Sequence, residues 1–262
     1  LSPLSWSVDA EGVCTLLLTR EPLNEIGEES LDRLEALVAE VQAPDVRGLL
    51  IASEIERGFC AGADLKALHR AIEARGHAQV VAEVRSFLGR IHCTFGALDR
   101  LPKPTVSAVH GVVFGGGLEL ALTSDLIVAA RSARFGFPEL RLGLIPGFGG
   151  TVRLRRAIGG SRLLDLLLTG RSLNAERAHQ VGLVSQVVAV GRPRAAARRA
   201  LLQALKTPPA ALAAAKRVVK AIDEAALAAE REAFLDLFAR PECARALAEF
   251  ARREDVLPYL AR

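Results

Sequence analysis

The chain has 262 residues, half of them hydrophobic and 24% charged, which allows a substantial buried core and excludes wholesale disorder. Lys+Arg is 34 against Asp+Glu 30, a net charge of +4 spread along the chain rather than gathered into a tail. That balance suits an anionic small ligand as well as a nucleic acid and does not choose between them.

In chain order, Val13–Leu18 predicts a strand, and residues 28–41 predict a helix through Leu31, Leu34, Leu37, Val38 and Val41. A second strand is expected over 48–52, then a loop over 53–64 and a helix starting near Leu65. Residues 80–98 read as a helix closed by Pro102 and Pro104, before a strand at Thr105–Val109. Three glycines at 115–117 open a short helix over 118–124, and Leu126–Ala130 returns to strand. Strands alternating with helices predict an α/β architecture, but their irregular spacing does not suit a regular doubly wound sheet. From about residue 191 no strand signal remains. Residues 194–206, 210–222, 225–239 and 242–253 read as Ala/Leu/Arg-rich helices broken at Pro208, Pro209 and Pro241. The expected division is a body over 1–192 that holds the active site and a helical region over 193–262. The apolar face of the latter (Leu227, Phe234, Leu235, Phe238) calls for a covering surface, on the body of the same chain or on another subunit.

Several familiar signatures are absent: GxxxxGK[ST], HExxH, GxSxG and a complete GxGxxG. Cys14, Cys60, Cys93 and Cys243 lie far apart without a CxxC pair, which argues against a structural zinc site and a disulfide scaffold. The five histidines are scattered and read as surface or hydrogen-bonded core residues. No apolar run reaches the roughly 18 residues of a membrane span. Residues 1–8 lack the charged-then-apolar build of a signal peptide, and the expectation is a cytoplasmic protein.

Two glycine-bearing segments stand out. Phe59-Cys-Ala-Gly-Ala-Asp-Leu-Lys66 is a loop of small residues running into a helix, and His110-Gly-Val-Val-Phe-Gly-Gly-Gly-Leu-Glu-Leu-Ala121 sets three glycines directly before a helix. Small residues admit a ligand close to the backbone, and a helix N-terminus presents unpaired N–H groups. One N–H from each loop can make an oxyanion hole. Either loop alone is accounted for by tight packing. The carboxylates add weight: Glu119 and Glu139 each stand among apolar residues, where desolvation raises a carboxyl pKa toward the range useful for proton transfer. Their structural alternative is a cap or an ion pair, with Arg141 and Arg153 within reach in sequence.

Taken together, FCAGADLK, GGG-x-E-L-A, S-A-R-F-G-F-P-E and L-G-L-I-P-G-F-G-G-T, in this order, resemble the crotonase (enoyl-CoA hydratase/isomerase) superfamily. The likeness runs from Leu16 to about Val188, includes the stretches 166–178 and 182–188, and fades in the tail. It implies a spiral of ββα turns followed by a C-terminal helical trimerisation region, and an acyl-CoA thioester as substrate. It places the oxyanion hole at the N–H groups of Ala63 and Gly116, and makes Glu119 the base that positions and deprotonates water. It gives Glu139 the proton exchange at the α-carbon, gives Gly147 a backbone donor that holds the water, and sets Ala61, Leu65 and Lys66 along the CoA. Residues 69–95 should line the acyl pocket. The chemistry needs no metal or other cofactor, since CoA arrives as part of the substrate. The chain departs from the family pattern at Ala67, where an acidic residue is common, and at its ending, Arg252 to Leu260, where the family carries a lysine.

The leading expectation is therefore a 2-enoyl-CoA hydratase assembled as a homotrimer or hexamer. An enoyl-CoA isomerase is the nearest rival, followed by action on a branched, dicarboxylic or carrier-protein-bound acyl thioester. Retention of both glutamates favours hydration. A nucleic-acid binder fits the pI of about 9.1, but aromatic residues are only 5% and supply few stacking platforms. A non-catalytic CoA-binding protein would more naturally lack one of the glutamates.

Overall fold

The computed structural model describes residues 2–191 and 193–252. The sequence differences at 253–260 lie outside the described residues. The chain opens with an antiparallel pair, β1 (Leu4–Val8) and β2 (Val13–Leu18). The turn between them is held by the Asp9 carboxylate, which accepts from the N–H groups of Glu11 (2.9 Å) and Val13 (3.0 Å). The helix α1 (Glu28–Glu40) follows, burying Leu31, Leu34 and Leu37 along one stripe.

From there the chain repeats a unit of two strands and a helical return. β3 (Gly48–Ser53) and β4 (Gly58–Cys60) lead into α2 (Leu65–Arg75) and α3 (His77–Asp99). β5 (Thr105–Val109) and β6 (Val112–Phe114) lead into α4 (Gly116–Ala121). β7 (Leu126–Ala130) and β8 (Arg134–Gly136) lead through a 3₁₀ turn at Glu139–Leu142 into α5 (Gly150–Ile158) and α6 (Gly160–Thr169). Each first strand joins a six-stranded sheet, and each second strand joins a four-stranded one, so the chain winds as a spiral of ββα turns. The remaining elements are β9 (Leu173–Asn174), α7 (Ala175–Gln180), β10 (Gln186–Val188), α8 (Pro193–Ala204), α9 (Pro209–Val219), α10 (Glu224–Phe238) and α11 (Pro241–Ala251). The large sheet runs β1-β2-β3-β5-β7-β10 and is parallel except at its first pair. The small sheet runs β4-β6-β8-β9.

Both faces of the central strands β3, β5 and β7 are covered, which is why these strands are buried along nearly their whole length, unlike the outer β1 and β10. Leu49 and Ile51 face the main core with α1 and α3, whereas Leu50 and Ala52 turn to the opposite face. There they meet Val106, Ala108 and Val128, under Ala196, Ala197 and Leu201 of α8. Residues on both sides of 192/193 therefore share one core. Farther along, Phe238, Cys243 and Leu247 pack against Val80, Leu142 and Leu144, so α10 and α11 close over α3 and the 3₁₀ turn of the same chain. In α9 no residue is buried, and Val218 and Val219 are 74% and 75% exposed.

Candidate active site

The two glycine-bearing loops come together. β4 and β6 are parallel neighbours, so the residues that follow them, 61–65 and 115–117, emerge at the same end of the small sheet. The approach is close: a Cβ on Gly117 would lie 2.3 Å from the Cys60 carbonyl oxygen, and one on Gly62 would lie 3.2 Å from the Gly116 nitrogen. Gly62 also holds φ +112° and Gly115 φ +50°, conformations that glycine takes without strain. The Gly62 carbonyl accepts from the Ile26 N–H at 2.8 Å. In a trans peptide the N–H lies opposite the carbonyl, so the Ala63 N–H points away from Ile26. It has no acceptor among the described residues, and neither does the N–H of Gly116, the first residue of α4. The two residues with unpaired donors line one cavity.

The Ala63 loop is fixed from below and from the side. Asn24 donates to Ser53 Oγ and to the Phe59 carbonyl, both at 2.8 Å, and Arg20 is ion-paired with Asp64. Asp64 in turn caps α2 by accepting the Ala67 N–H at 2.8 Å. Cys60, beneath the loop, is buried, and burial pushes its thiol up to about 12, which removes it as a nucleophile near neutral pH.

Three carboxylates gather beside the donors. Glu119, on the α4 turn after the glycines, is 2% exposed, and its Oε1 accepts the N–H groups of Phe148 and Gly150, each at 2.7 Å. Glu139 opens the 3₁₀ turn, and its Oε1 would lie 2.5 Å from a Cβ on Gly115. Its other oxygen is shielded from solvent and has no hydrogen-bond partner. Arg153 does not neutralise either of them directly. Its Nε lies 3.3 Å from Asp99, and it donates to the Phe148 carbonyl at 2.7 Å.

The third carboxylate, Glu230 on α10, accepts from the Gly149 N–H at 2.6 Å and from the Thr151 N–H at 2.7 Å; the Thr151 hydroxyl donates to it as well. Burial pushes Glu119 well up from the ordinary carboxylate range. The charges of Glu230 and Glu139 push it further, against two N–H bonds that favour its ionised form. Burial, with the Glu230 charge, raises Glu139 to about 8. Burial raises Glu230 too, against its three donors. Near neutral pH the Glu139 carboxyl therefore holds its proton.

A cavity of about 270 Å³ connects the two donors with Glu119 and Glu139, while Glu230 stands behind its wall. Ala63, Gly116, Glu119, Glu139 and Gly147 all line it, as do Ala61 and Leu65. Lys66 does not; its neighbour Ala67 does, and Lys66 stands exposed on α2. The apolar wall is built by Leu68, Val80, Val84, Phe87, Leu142 and Leu144, with Arg75 and Glu83 paired at 2.7 Å on the rim. Residues 69–95 therefore do reach the cavity, from Ala71 on α2 to Leu88 on α3.

Three contributors were not legible as site residues. The His92 Nε2–H donates to the Gly147 carbonyl at 2.8 Å, and burial lowers the proton affinity of this ring. Phe148, whose N–H serves Glu119, rests its ring against Phe87 and Phe95 at 5.9 Å each. Glu230 comes from beyond residue 193, where no site residue is expected; its signal is its place on α10 between Leu227 and Phe234, at helical spacing on the face that looks inward.

The model of the enoyl-CoA hydratase/isomerase family matches residues 9–254. The chain belongs to this family. A protein of Rhizobium meliloti named "Probable enoyl-CoA hydratase" is 34% identical over 255 residues, which cover 94% of each chain. "Methylglutaconyl-CoA hydratase 1, mitochondrial" of Pyricularia oryzae is 43% identical over 62% of this chain, and the match spans only 44% of that relative's length. Among solved structures, an enoyl-CoA hydratase from Bacillus anthracis superposes with a TM-score of 0.75 at 30% identity over 90% of each chain. One from Bacillus halodurans has a TM-score of 0.83 at 23% identity, over 95% of this chain and 100% of its own, and speaks for the fold alone. The enoyl-CoA hydratase/isomerase family is thus shared across the spiral body and the helices after it. No helix among the described residues is long and apolar enough to cross a membrane.

Proposed function

We propose that this member of the family adds water to a 2-enoyl-CoA thioester. The observation that carries the reading is the convergence of two unpaired backbone donors and two proton-affine carboxyl groups on one largely apolar cavity. The thioester oxygen sits between the N–H groups of Ala63 and Gly116. Glu119, as carboxylate, takes a proton from water while the oxygen bonds to the β-carbon. The electron pair of the double bond moves toward the carbonyl, and the resulting enolate oxygen is stabilised by the two donors. Glu139, as carboxylic acid, delivers its proton to the α-carbon, giving a 3-hydroxyacyl-CoA. The pair then returns to its starting state by proton exchange with solvent. One carboxylate and one carboxylic acid are needed at once, and mutually raised proton affinities support that mixed state. The Gly147 N–H, which takes no acceptor among the described residues, is available to the same water.

The CoA moiety runs past Ala61 and Leu65 in this reading, with the exposed Lys66 ammonium available to its phosphates; no further cofactor enters. A homotrimer or hexamer is part of the proposal, supported by the exposed apolar residues of α9 and by Leu164 and Leu168 on α6, 55% and 75% exposed. A cytoplasmic location is retained as well and is read by cell fractionation. A second reading, a branched or dicarboxylic acyl substrate, is favoured by relatives named as methylglutaconyl-CoA hydratases, among them that of Mus musculus at 41% identity over 66% of this chain. A panel of straight, branched and carboxylate-bearing 2-enoyl-CoA substrates, with a 3-enoyl-CoA as the isomerase control, tests both. Turnover confined to the 3-enoyl-CoA contradicts hydration.

A further inference from the structure

The N-terminus of α5 leaves its first amides without intrahelical partners, as every helix does. Here two buried carboxylates divide them. Glu119 takes the N–H groups of Phe148 and Gly150, while Glu230 takes those of Gly149 and Thr151 and the Thr151 hydroxyl. The loop is crowded in this arrangement. Gly149 holds φ +96°, a Cβ on Gly150 would lie 2.7 Å from Glu119 Oε1, and a Cβ on Gly147 would lie 2.6 Å from Phe234, one turn after Glu230 on α10.

A buried carboxylate is a costly way to satisfy three neutral donors, because desolvating its charge opposes it. What it offers is an acceptor-only group with room for all three, favoured by the positive end of α5. It also places a negative charge opposite Glu119. The charged groups that act on Glu230 are Glu119 from α4, Glu139 from the 3₁₀ turn and Arg153 from α5. Arg153 is shared with Asp99, so its charge is not devoted to Glu230.

We propose that Glu230 is a positioning residue for hydration: by holding the alternate amides of the 148–151 loop, it fixes the two amides that hold Glu119. This rests on the reading of Glu119 as the base. The same placement sets the Glu230 charge near Glu119 and Glu139, where it favours the protonated form of both.

The test uses the full chain. Glu230→Gln keeps the size but sets an amide NH2 against at least one of the three donors, and it removes the charge. For a 2-enoyl-CoA we expect kcat to fall tenfold or more, with KM and the binding of a saturated acyl-CoA within about threefold of wild type. Both limbs of the pH–rate profile should move to lower pH, because Glu119 and Glu139 lose a neighbouring negative charge. An unchanged kcat, or a lowered kcat with an unmoved pH profile, overturns the proposal; a purely structural brace would give the latter. Thr151→Val, which removes only the hydroxyl donor, should lower kcat severalfold at unchanged KM, and it decides the matter if Glu230→Gln does not fold. Glu119→Gln, run in parallel, separates the two levels. If it loses activity and the Glu230 variant does not, the positioning role fails alone. If Glu119→Gln keeps wild-type turnover, the reading of the base fails and the positioning role with it.

Discussion

Glu119 and Glu230 reach one four-residue stretch from opposite sides in sequence and take its successive amides in alternation, 148 and 150 to one, 149 and 151 to the other. The stretch is the start of α5, so its amides are donors by construction and its dipole favours negative charge. The helical region after residue 193 is thereby tied into the site.

Removing a general acid or base lowers turnover by about 10²-fold or more. Glu119→Gln and Glu139→Gln should each show such a loss in kcat while retaining the fold by circular dichroism and the binding of a saturated acyl-CoA. A variant with near wild-type turnover would falsify the role assigned to that residue.

The raised Glu139 carboxyl has a consequence for stability. Its value of about 8 in the folded protein lies above the ordinary 4.5, so the folded state binds the proton more tightly than the unfolded chain. The resulting stabilisation is complete below about pH 4.5 and is lost as pH rises through about 8. Glu139→Gln removes that dependence. Thermal melts across this range should show a smaller decline in Tm with pH for the variant than for the wild type; equal declines contradict the shift.

Much of this was legible in the sequence, and the reasons differ by element. Strands such as Val13–Leu18 and Thr105–Val109 run for five or six mostly apolar, mostly buried residues, and they are found where expected. β4, β6 and β8 have three residues each and carry or adjoin glycine, which is too short for a period-two pattern to show; the segment expected as one loop over 53–64 contains β4. The short helix begins at Gly116 rather than Leu118, since glycines that open a helix give no propensity signal. Glu119 and Glu139 were legible through their apolar neighbours. Glu230 was not, although the face formed by Leu227 and Phe234 contains it: its partners are backbone amides some eighty positions away, which no local pattern records.

Gly116 tests the oxyanion donors. A Cβ there would lie 2.7 Å from the Phe148 ring, next to the amide that serves Glu119. Gly116→Val should therefore fold but lose about 10²-fold or more of its turnover, comparable to the loss of one oxyanion donor. The loss should be uniform across acyl chain lengths in steady-state kinetics. Loss confined to long chains would instead make Gly116 a wall of the acyl pocket.

For assembly, the exposed valines of α9 are the probe. Light scattering should give a trimer or hexamer at micromolar concentration. Val218→Glu with Val219→Glu should reduce the mass while leaving the circular dichroism spectrum unchanged. A monomeric wild type contradicts this part of the account.

The most direct test of the central claim is to incubate the protein with 2-hexenoyl-CoA in deuterium oxide and identify the product by mass spectrometry and NMR. The account predicts 3-hydroxyhexanoyl-CoA carrying one solvent deuterium at the α-carbon, and at least 10²-fold less of it from Glu119→Gln and from Glu139→Gln. A 3-hexenoyl-CoA product, or recovered thioester with no hydroxyl at the β-carbon, would contradict it.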